Sequence, residues 1–238
     1  MVSIIIPSRN EIYLNETILD IQKNARGKIE VIVIVEEGKI VPVKGVKYIY
    51  NEKPKGMRTA INQGVAAATG DFIMKTDAHC MFDEGFDVKL SSVHQDNWVQ
   101  TPRRKRFDAA SWKLVDEDRP PTDYMFIGTG FHGHKDNDKN RDVELRKVLI
   151  DDTEVFQGSC YFMKKEYFRK LGLLDDVHFG SMGSEAVEIA LKTRHDGGRV
   201  IINKTTWYAH ARLRRRYGGS IAEREKSRKY IAILAESL

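Results

Sequence analysis

The strongest constraint on the fold lies in the first 80 residues, where apolar runs of strand length alternate with helical patterns and each run ends on polar side chains. "VSIIIPS" (2–8) reads as a strand that stops at Pro7, and "EIYLNETILDIQKNA" (11–25) sets Leu14, Ile18 and Ile21 at helical spacing. "KIEVIVIVEEG" (28–38) is a second strand ending on two carboxylates, and "VKYIYNE" (46–52) a third. "GMRTAINQGVAAATG" (56–70) is a helix rich in small residues that feeds a strand over 71–74. Such alternation predicts a parallel sheet with covering helices, and in that architecture ligands gather at the carboxyl ends of the strands. Pro7 to Arg9, Glu36 to Gly38 and Asp77 to His79 all fall at those ends, so three separate polar spots are expected to form one site.

The stretch "GDFIMKTDAHC" (70–80) carries the clearest chemistry. Residues two apart in extended backbone project to the same side, about 7 Å or less along the chain, so Asp77 and His79 can converge on a divalent ion. A surface loop holding the same pair without a ligand is the competing reading. With 238 residues, 41% of them hydrophobic, the chain can bury one sizeable core. Its start, "MVSIIIPSRNE", has no basic segment ahead of a long apolar run, so neither a leader peptide nor a transmembrane segment is expected, and a cytoplasmic protein is. Cys80 and Cys160 are too few for a disulfide framework and read as small core residues.

Charge is unevenly placed. Between residues 204 and 230 nine Lys or Arg stand against Glu223 and Glu225, and "RRKR" (103–106) forms a second cluster, on a chain whose net charge is only +5. Such patches attract phosphate or serve as a solvated face. "NWVQTPRRKRFD" (97–108) is expected as a strand followed by a basic loop, and residues 115–145 as a long polar excursion in which His132 and His134 are ordinary loop histidines. "VFQGSCYFMKKEYFRKLG" reads as a strand and short helix, "GSEAVEIALKTRHDGG" (183–198) as a helix, and "RVIINKTTWYAHA" (199–211) as a strand. The last helix, "SIAEREKSRKYIAILAESL" (220–238), opens with the capping-box pair Ser220 and Glu223.

In that order, "SIIIPSRNE", "VIVIVEEG" and "KGMRTAINQGVAAATGDFIMKTDAHC" resemble the nucleotide-binding half of the GT-A glycosyltransferases of the family 2 type. The Asp-x-His form with Cys80 is similar to that of the polypeptide N-acetylgalactosaminyltransferases, and the resemblance continues from "GSCYFMKK" to "WYAHARLRRRY". It implies an α/β, Rossmann-like GT-A fold: a mostly parallel sheet with helices on both faces, in a single domain over 1–238. Residues 1–80 would be the nucleotide-binding half, 81–211 the acceptor and metal half, and 212–238 a basic lid and C-terminal helix. It also implies a metal site of Asp77, His79 and His210 holding Mn2+ or Mg2+, and nucleotide-sugar contacts from Pro7, Ser8, Arg9, Glu37, Arg58 and Asp77. Arg212, Arg215 and Tyr217 would belong to the lid, with "YGGS" as its hinge.

One departure matters. Inverting relatives carry Glu-Asp at the start of the helix that here begins Glu185-Ala186, and alanine accepts no proton. Glu185 and Glu188 remain as candidate catalytic carboxylates, and the missing acid favours retention of configuration. The resemblance thus implies transfer of a sugar from a nucleoside-diphosphate donor, expected to be a UDP-sugar, to an acceptor hydroxyl. The acceptor stays open between a saccharide and a polyanion such as DNA or RNA. A non-catalytic nucleotide- or nucleic-acid-binding protein on the same fold is the alternative that Ala186 keeps open.

Overall fold

The computed structural model describes residues 1–115, 120–179, 184–211, 213 and 220–236. The N-terminal half follows the sequence pattern: β1 (Val2–Arg9), α1 (Leu14–Asn24), β2 (Ile29–Glu37), β3 (Val46–Tyr50), α2 (Met57–Ala67) and β4 (Phe72–Thr76). Then come β5 (Cys80–Phe82), α3 (Phe86–Ser92), β6 (Trp98–Lys105) and a minimal hairpin of β7 (Phe107–Asp108) and β8 (Lys113–Leu114). The excursion holds β9 (Met125–Gly128), β10 (His132–Lys135), α4 (Asn137–Arg141) and a 3-10 turn, Leu145–Lys147, ahead of β11 (Ile150–Asp152). β12 (Cys160–Lys164), α5 (Lys165–Lys170), α6 (Glu185–His195), β13 (Arg199–His210) and α7 (Ile221–Glu236) complete the chain.

Nine strands form one sheet in the order β11-β13-β6-β12-β4-β1-β2-β3, with β5 paired to β13 off that path. The expected parallel arrangement holds for β3, β2, β1 and β4. Beyond β4 the sheet turns mixed: β12 lies antiparallel to β4 and β6, while β13 is parallel to β6 and antiparallel to β5 and β11. Both sheet faces are covered, which is why the strands are continuous apolar runs. Ile5, Ile32 and Ile34 pack under α2, α5, α6 and α7, whereas Ile4, Ile6, Val31, Val33 and Val35 pack under α1 and α3. The small residues of α2 let it settle close on the sheet: a Cβ built on Gly64 would lie 2.4 Å from Cγ2 of Ile5.

Three local expectations change. β1 does not stop at Pro7 but runs to Arg9. Its pairing with β4 ends at Ile5, so from there it has a strand neighbour on one side only, where a missing N–H is tolerated. The basic residues 103–105 lie in β6 rather than in a loop. His132 and His134 sit in a β-hairpin, with the His134 ring stacked on Phe126 at 5.6 Å. The final capping box forms as expected: the Ser220 N–H donates to Glu223 Oε2 at 2.6 Å, and the Glu223 N–H donates to Ser220 Oγ at 3.2 Å. No helix among the described residues is long and apolar enough to cross a membrane.

Candidate active site at the strand ends

Two pieces of chain bring the corner together. β12 places Cys160 opposite Thr76, so the Asp77 N–H, just past β4, donates to the Ser159 carbonyl at 2.9 Å. β13 slips register against β6 between Asn203 and Trp207 and then pairs with β5, His210 opposite Cys80. That irregularity re-aims the end of a long strand toward the exit of β4. The Ala211 N–H closes the corner on the His79 carbonyl at 3.1 Å.

The side chains of Asp77, His79 and His210 converge there, each offering a ligand atom within 4.8 Å of the others. His210 Nε2 is 3.2 Å from Asp77 Oδ2, and the two imidazole rings lie 4.7 Å apart, tilted by 48°. His210 Nδ1 is buried without a hydrogen-bond partner among the described residues. Ligands about 2.1 Å from a six-coordinate ion stand about 3 Å from neighbours and 4 Å from opposites, so modest side-chain rotation closes the set. One carboxylate and two imidazoles leave coordination positions open, a donor set that suits Mn2+ better than Ca2+.

Electrostatics separates the two histidines. Burial pushes the Asp77 carboxyl up, but the Lys75 ammonium and then the two imidazoles outweigh it and hold it well below the usual carboxylate range. Burial lowers both imidazoles, yet His79 ends above its ordinary value because Glu11 and Asp77 favour its charged form. His210 has no such acid of its own beyond Asp77 and ends below. Glu11 Oε2 lies 3.2 Å from His79 Nδ1 and fixes that ring. Sequence reasoning passed over Glu11; its one signal is its place in the turn after β1, beside the predicted strand end.

At the neighbouring strand tips, Arg9 Nε donates to Glu37 Oε2 at 2.9 Å, both side chains nearly half exposed, and this bond lowers the Glu37 carboxyl. Glu36 points the other way. Its carboxylate is buried and accepts from Asn51 Nδ2 at 2.5 Å and from the N–H groups of Lys55 and Gly56, both at 2.7 Å, so it holds the entry to α2 and leaves Glu37 to face outward. The Ser8 hydroxyl is buried without a partner among the described residues. Pro7 lies in β1 beside it.

Arg58 and Glu188, expected in donor binding and in catalysis, are partners in one buried ion pair joining α2 to α6. Glu188 is fully buried, with its other oxygen taken by Lys192 at 2.7 Å and by the Asp175 N–H at 2.9 Å. The Arg58 guanidinium lies 3.8 Å over the Phe179 ring. Both side chains are withdrawn from the surface, Arg58 at 1% and Glu188 at 0% exposure. Glu185 differs: its carboxylate lies against Gly158, where an added Cβ would clash with it, and it helps raise the Lys75 ammonium's affinity for its proton. It is therefore the candidate carboxylate beside the metal corner. Arg212, Arg215 and Tyr217 fall outside the described residues.

Part of the basic cluster at 103–106 is engaged within the molecule: Arg103 makes a bidentate pair with Asp123, at 2.9 and 2.6 Å, and the Lys105 ammonium sits 4.5 Å over the Trp207 ring, while Arg104 Nε is buried without a hydrogen-bond partner among the described residues.

The chain has the GT-A fold, with a mixed sheet covered by helices on both faces and a carboxylate and two imidazoles at the exit of its fourth strand. The chain belongs to glycosyl transferase family 2, whose sequence model matches residues 3–172. Over 171 residues it is 27% identical to N-acetylgalactosaminyltransferase 7 of Drosophila melanogaster, a match that covers 68% of this chain and 28% of that protein. The chain thus spans less than a third of that relative's length. The crystal structure of GalNAc-T7 with UDP, GalNAc and Mn2+ superimposes with a TM-score of 0.82 at 18% identity, covering 99% of this chain and 47% of the other. A Pyrobaculum calidifontis mannosyltransferase in complex with GDP-Man and Mn2+ gives 0.61 at 16% identity, covering 91% and 58%.

Proposed function

We propose that the protein is a metal-dependent glycosyltransferase that moves a sugar from a nucleoside-diphosphate sugar, best a UDP-sugar, to an acceptor hydroxyl. The observation that carries this reading is the convergence of Asp77, His79 and His210 at the carboxyl end of β4, with Ser8, Arg9 and Glu37 at the same ends of β1 and β2. The ligands bound by the two structural neighbours, UDP or GDP-Man with Mn2+, support it. A divalent cation held there would act as a Lewis acid toward the charge that builds on the departing diphosphate. Asp77 Oδ2, His210 and His79 would hold it, with Glu11 keeping the His79 ring in place. Ser8, Arg9 and Glu37 would line the nucleotide pocket, and Arg212, Arg215 and Tyr217 would cover it and exclude water.

Retention is the favoured outcome. Ala186 supplies no base, and burial removes Glu188, which leaves Glu185 as the one acid of the first turn of α6 placed beside the corner. With Arg103 paired to Asp123 and Lys105 over Trp207, a saccharide acceptor fits better than DNA or RNA, whose binding would rest mainly on the basic residues between 212 and 229. Ala186 is also what a non-catalytic nucleotide-binding protein on this fold would carry. A panel of sugar nucleotides with Mn2+, scored for binding and for slow hydrolysis, tests the proposal. Metal-dependent binding with turnover is expected. Binding without any hydrolysis or transfer would favour the non-catalytic reading, and no binding by any donor would end both.

A further inference from the structure

Lys75 is a charged residue where an inward-facing strand position normally takes an apolar one. It is 1% exposed, and its ammonium donates to Asp77 Oδ1 at 2.5 Å and to the Gly158 carbonyl at 2.6 Å. It projects to the same side of the chain as Asp77, two residues on, so its buried ammonium sits directly against that carboxylate. A fixed cation therefore occupies one oxygen of the single carboxylate in the three-residue ligand set, on the side opposite the oxygen that faces His210. The negative charge that a divalent ion would meet is already half spent before the ion arrives. Affinity for hard divalent cations follows the charge count of the ligands.

Resting on the functional reading above, we propose that Lys75 makes metal binding conditional on the donor: the protein's own ligands bind the ion weakly, and the diphosphate oxygens supply the missing charge, so ion and nucleotide enter as one unit. Lys75 is a positioning residue in this scheme and touches neither ion nor donor. Its ammonium opposes the bare cation, which carries two positive charges, but it opposes far less a cation already neutralised by diphosphate. The same ammonium ties Asp77 to Gly158, the residue against which the Glu185 carboxylate packs, so the gating charge also links the metal corner to the candidate catalytic acid.

The test measures Mn2+ affinity by electron paramagnetic resonance of the free ion, with and without UDP, in the wild-type chain and in Lys75→Met, with a thermal melt to show that the variant is folded. In the wild type, UDP should tighten Mn2+ by about tenfold or more, and Mn2+ should tighten UDP by the same factor. In Lys75→Met, Mn2+ alone should bind about tenfold more tightly than in the wild type, and the coupling to UDP should shrink accordingly. Equal weakening of Mn2+ with and without UDP in the variant would overturn the proposal, because Lys75 would then merely hold Asp77 in place. If Lys75→Met does not fold, the wild-type coupling decides: independent binding of ion and nucleotide overturns the proposal while leaving the glycosyltransferase reading intact. Absence of both Mn2+ and UDP binding would instead overturn that reading, and this proposal with it.

Discussion

Two clusters of charge lie near each other in this molecule and differ in one respect. Arg58, Glu188 and Lys192 form a closed set: Glu188 is fully buried and both its oxygens are occupied, and Arg58 is capped by Phe179. Asp77, His79 and His210 form an open one, part-exposed, with an orphaned ring nitrogen and ligand atoms facing a common point. Residue type does not distinguish them, since either contains acids and bases at the end of an element. What distinguishes the open set is that its ligand atoms converge beside solvent, whereas both oxygens of Glu188 in the closed set are occupied.

Breaking the closed set should cost stability and leave the site alone. Arg58→Met strands a buried carboxylate and is expected to destabilise the fold by about 3–5 kcal/mol, read by urea denaturation, with unchanged donor affinity per folded molecule. Arg58→Met combined with Glu188→Leu should recover much of that loss, because removing both charges also removes their desolvation penalty. A drop in donor affinity in folded Arg58→Met would return Arg58 to the nucleotide pocket and erase the contrast.

Breaking the open set should do the reverse. His210→Ala is expected to lose about a hundredfold in Mn2+-dependent UDP-sugar affinity by calorimetry, worth about 2.7 kcal/mol, with little change in melting temperature. The same affinity with and without Mn2+ in the variant and the wild type would show that the corner is a brace as well.

How far each cluster was legible in the sequence follows from the same difference. Asp77 and His79 are two residues apart at the end of one strand, so their convergence is local and readable from "TDAHC"; His210 needed only the ordering of motifs. The partner of Arg58 lies 130 residues away, and nothing in "GMRTAINQG" announces it, so Arg58 read as a donor contact and Glu188 as a candidate catalytic carboxylate. The "RRKR" cluster looked like a polyanion surface for the same reason, since the acid that absorbs Arg103 arrives 20 residues later inside a stretch that read as loop. Glu36 and Glu37 were adjacent acids after a strand buried on both faces. Such a strand has no polar alternation, so the residues alone could not say which acid turned inward. The α/β alternation of the first 80 residues was fully visible, whereas the antiparallel insertion of β12 beside β4 was not, because strand direction depends on connections that the local pattern does not encode.

Gly64 sharpens the comparison from the packing side, since α2 carries Arg58 and lies on β1, whose tip carries Ser8 and Arg9, the residues proposed for the nucleotide pocket. Gly64→Ala gains helix propensity of about 1 kcal/mol, but the clash with Ile5, a stiff β-branched side chain, opposes it. Overpacking of this kind costs about 1–3 kcal/mol, so a net loss of about 1 kcal/mol is expected by urea denaturation. A stabilised variant would mean that α2 can lift from the sheet.

Within the open set the smaller effect is expected at Glu11, which touches it without belonging to it. Glu11→Gln replaces the carboxylate that fixes the His79 ring, and Mn2+ affinity in the presence of UDP should fall about tenfold with stability nearly unchanged. No change in Mn2+ affinity would mean that His79 is oriented by its backbone alone.

The central claim is that Asp77, His79 and His210 hold one ion. Pulsed electron paramagnetic resonance of the Mn2+ and UDP complex reads the ligands directly, through the magnetic coupling of each bound nitrogen. Two imidazole nitrogens are expected in the wild-type chain and one in His210→Ala. A wild-type spectrum with no nitrogen coupling, unchanged by His210→Ala, would place the ion elsewhere and contradict the account.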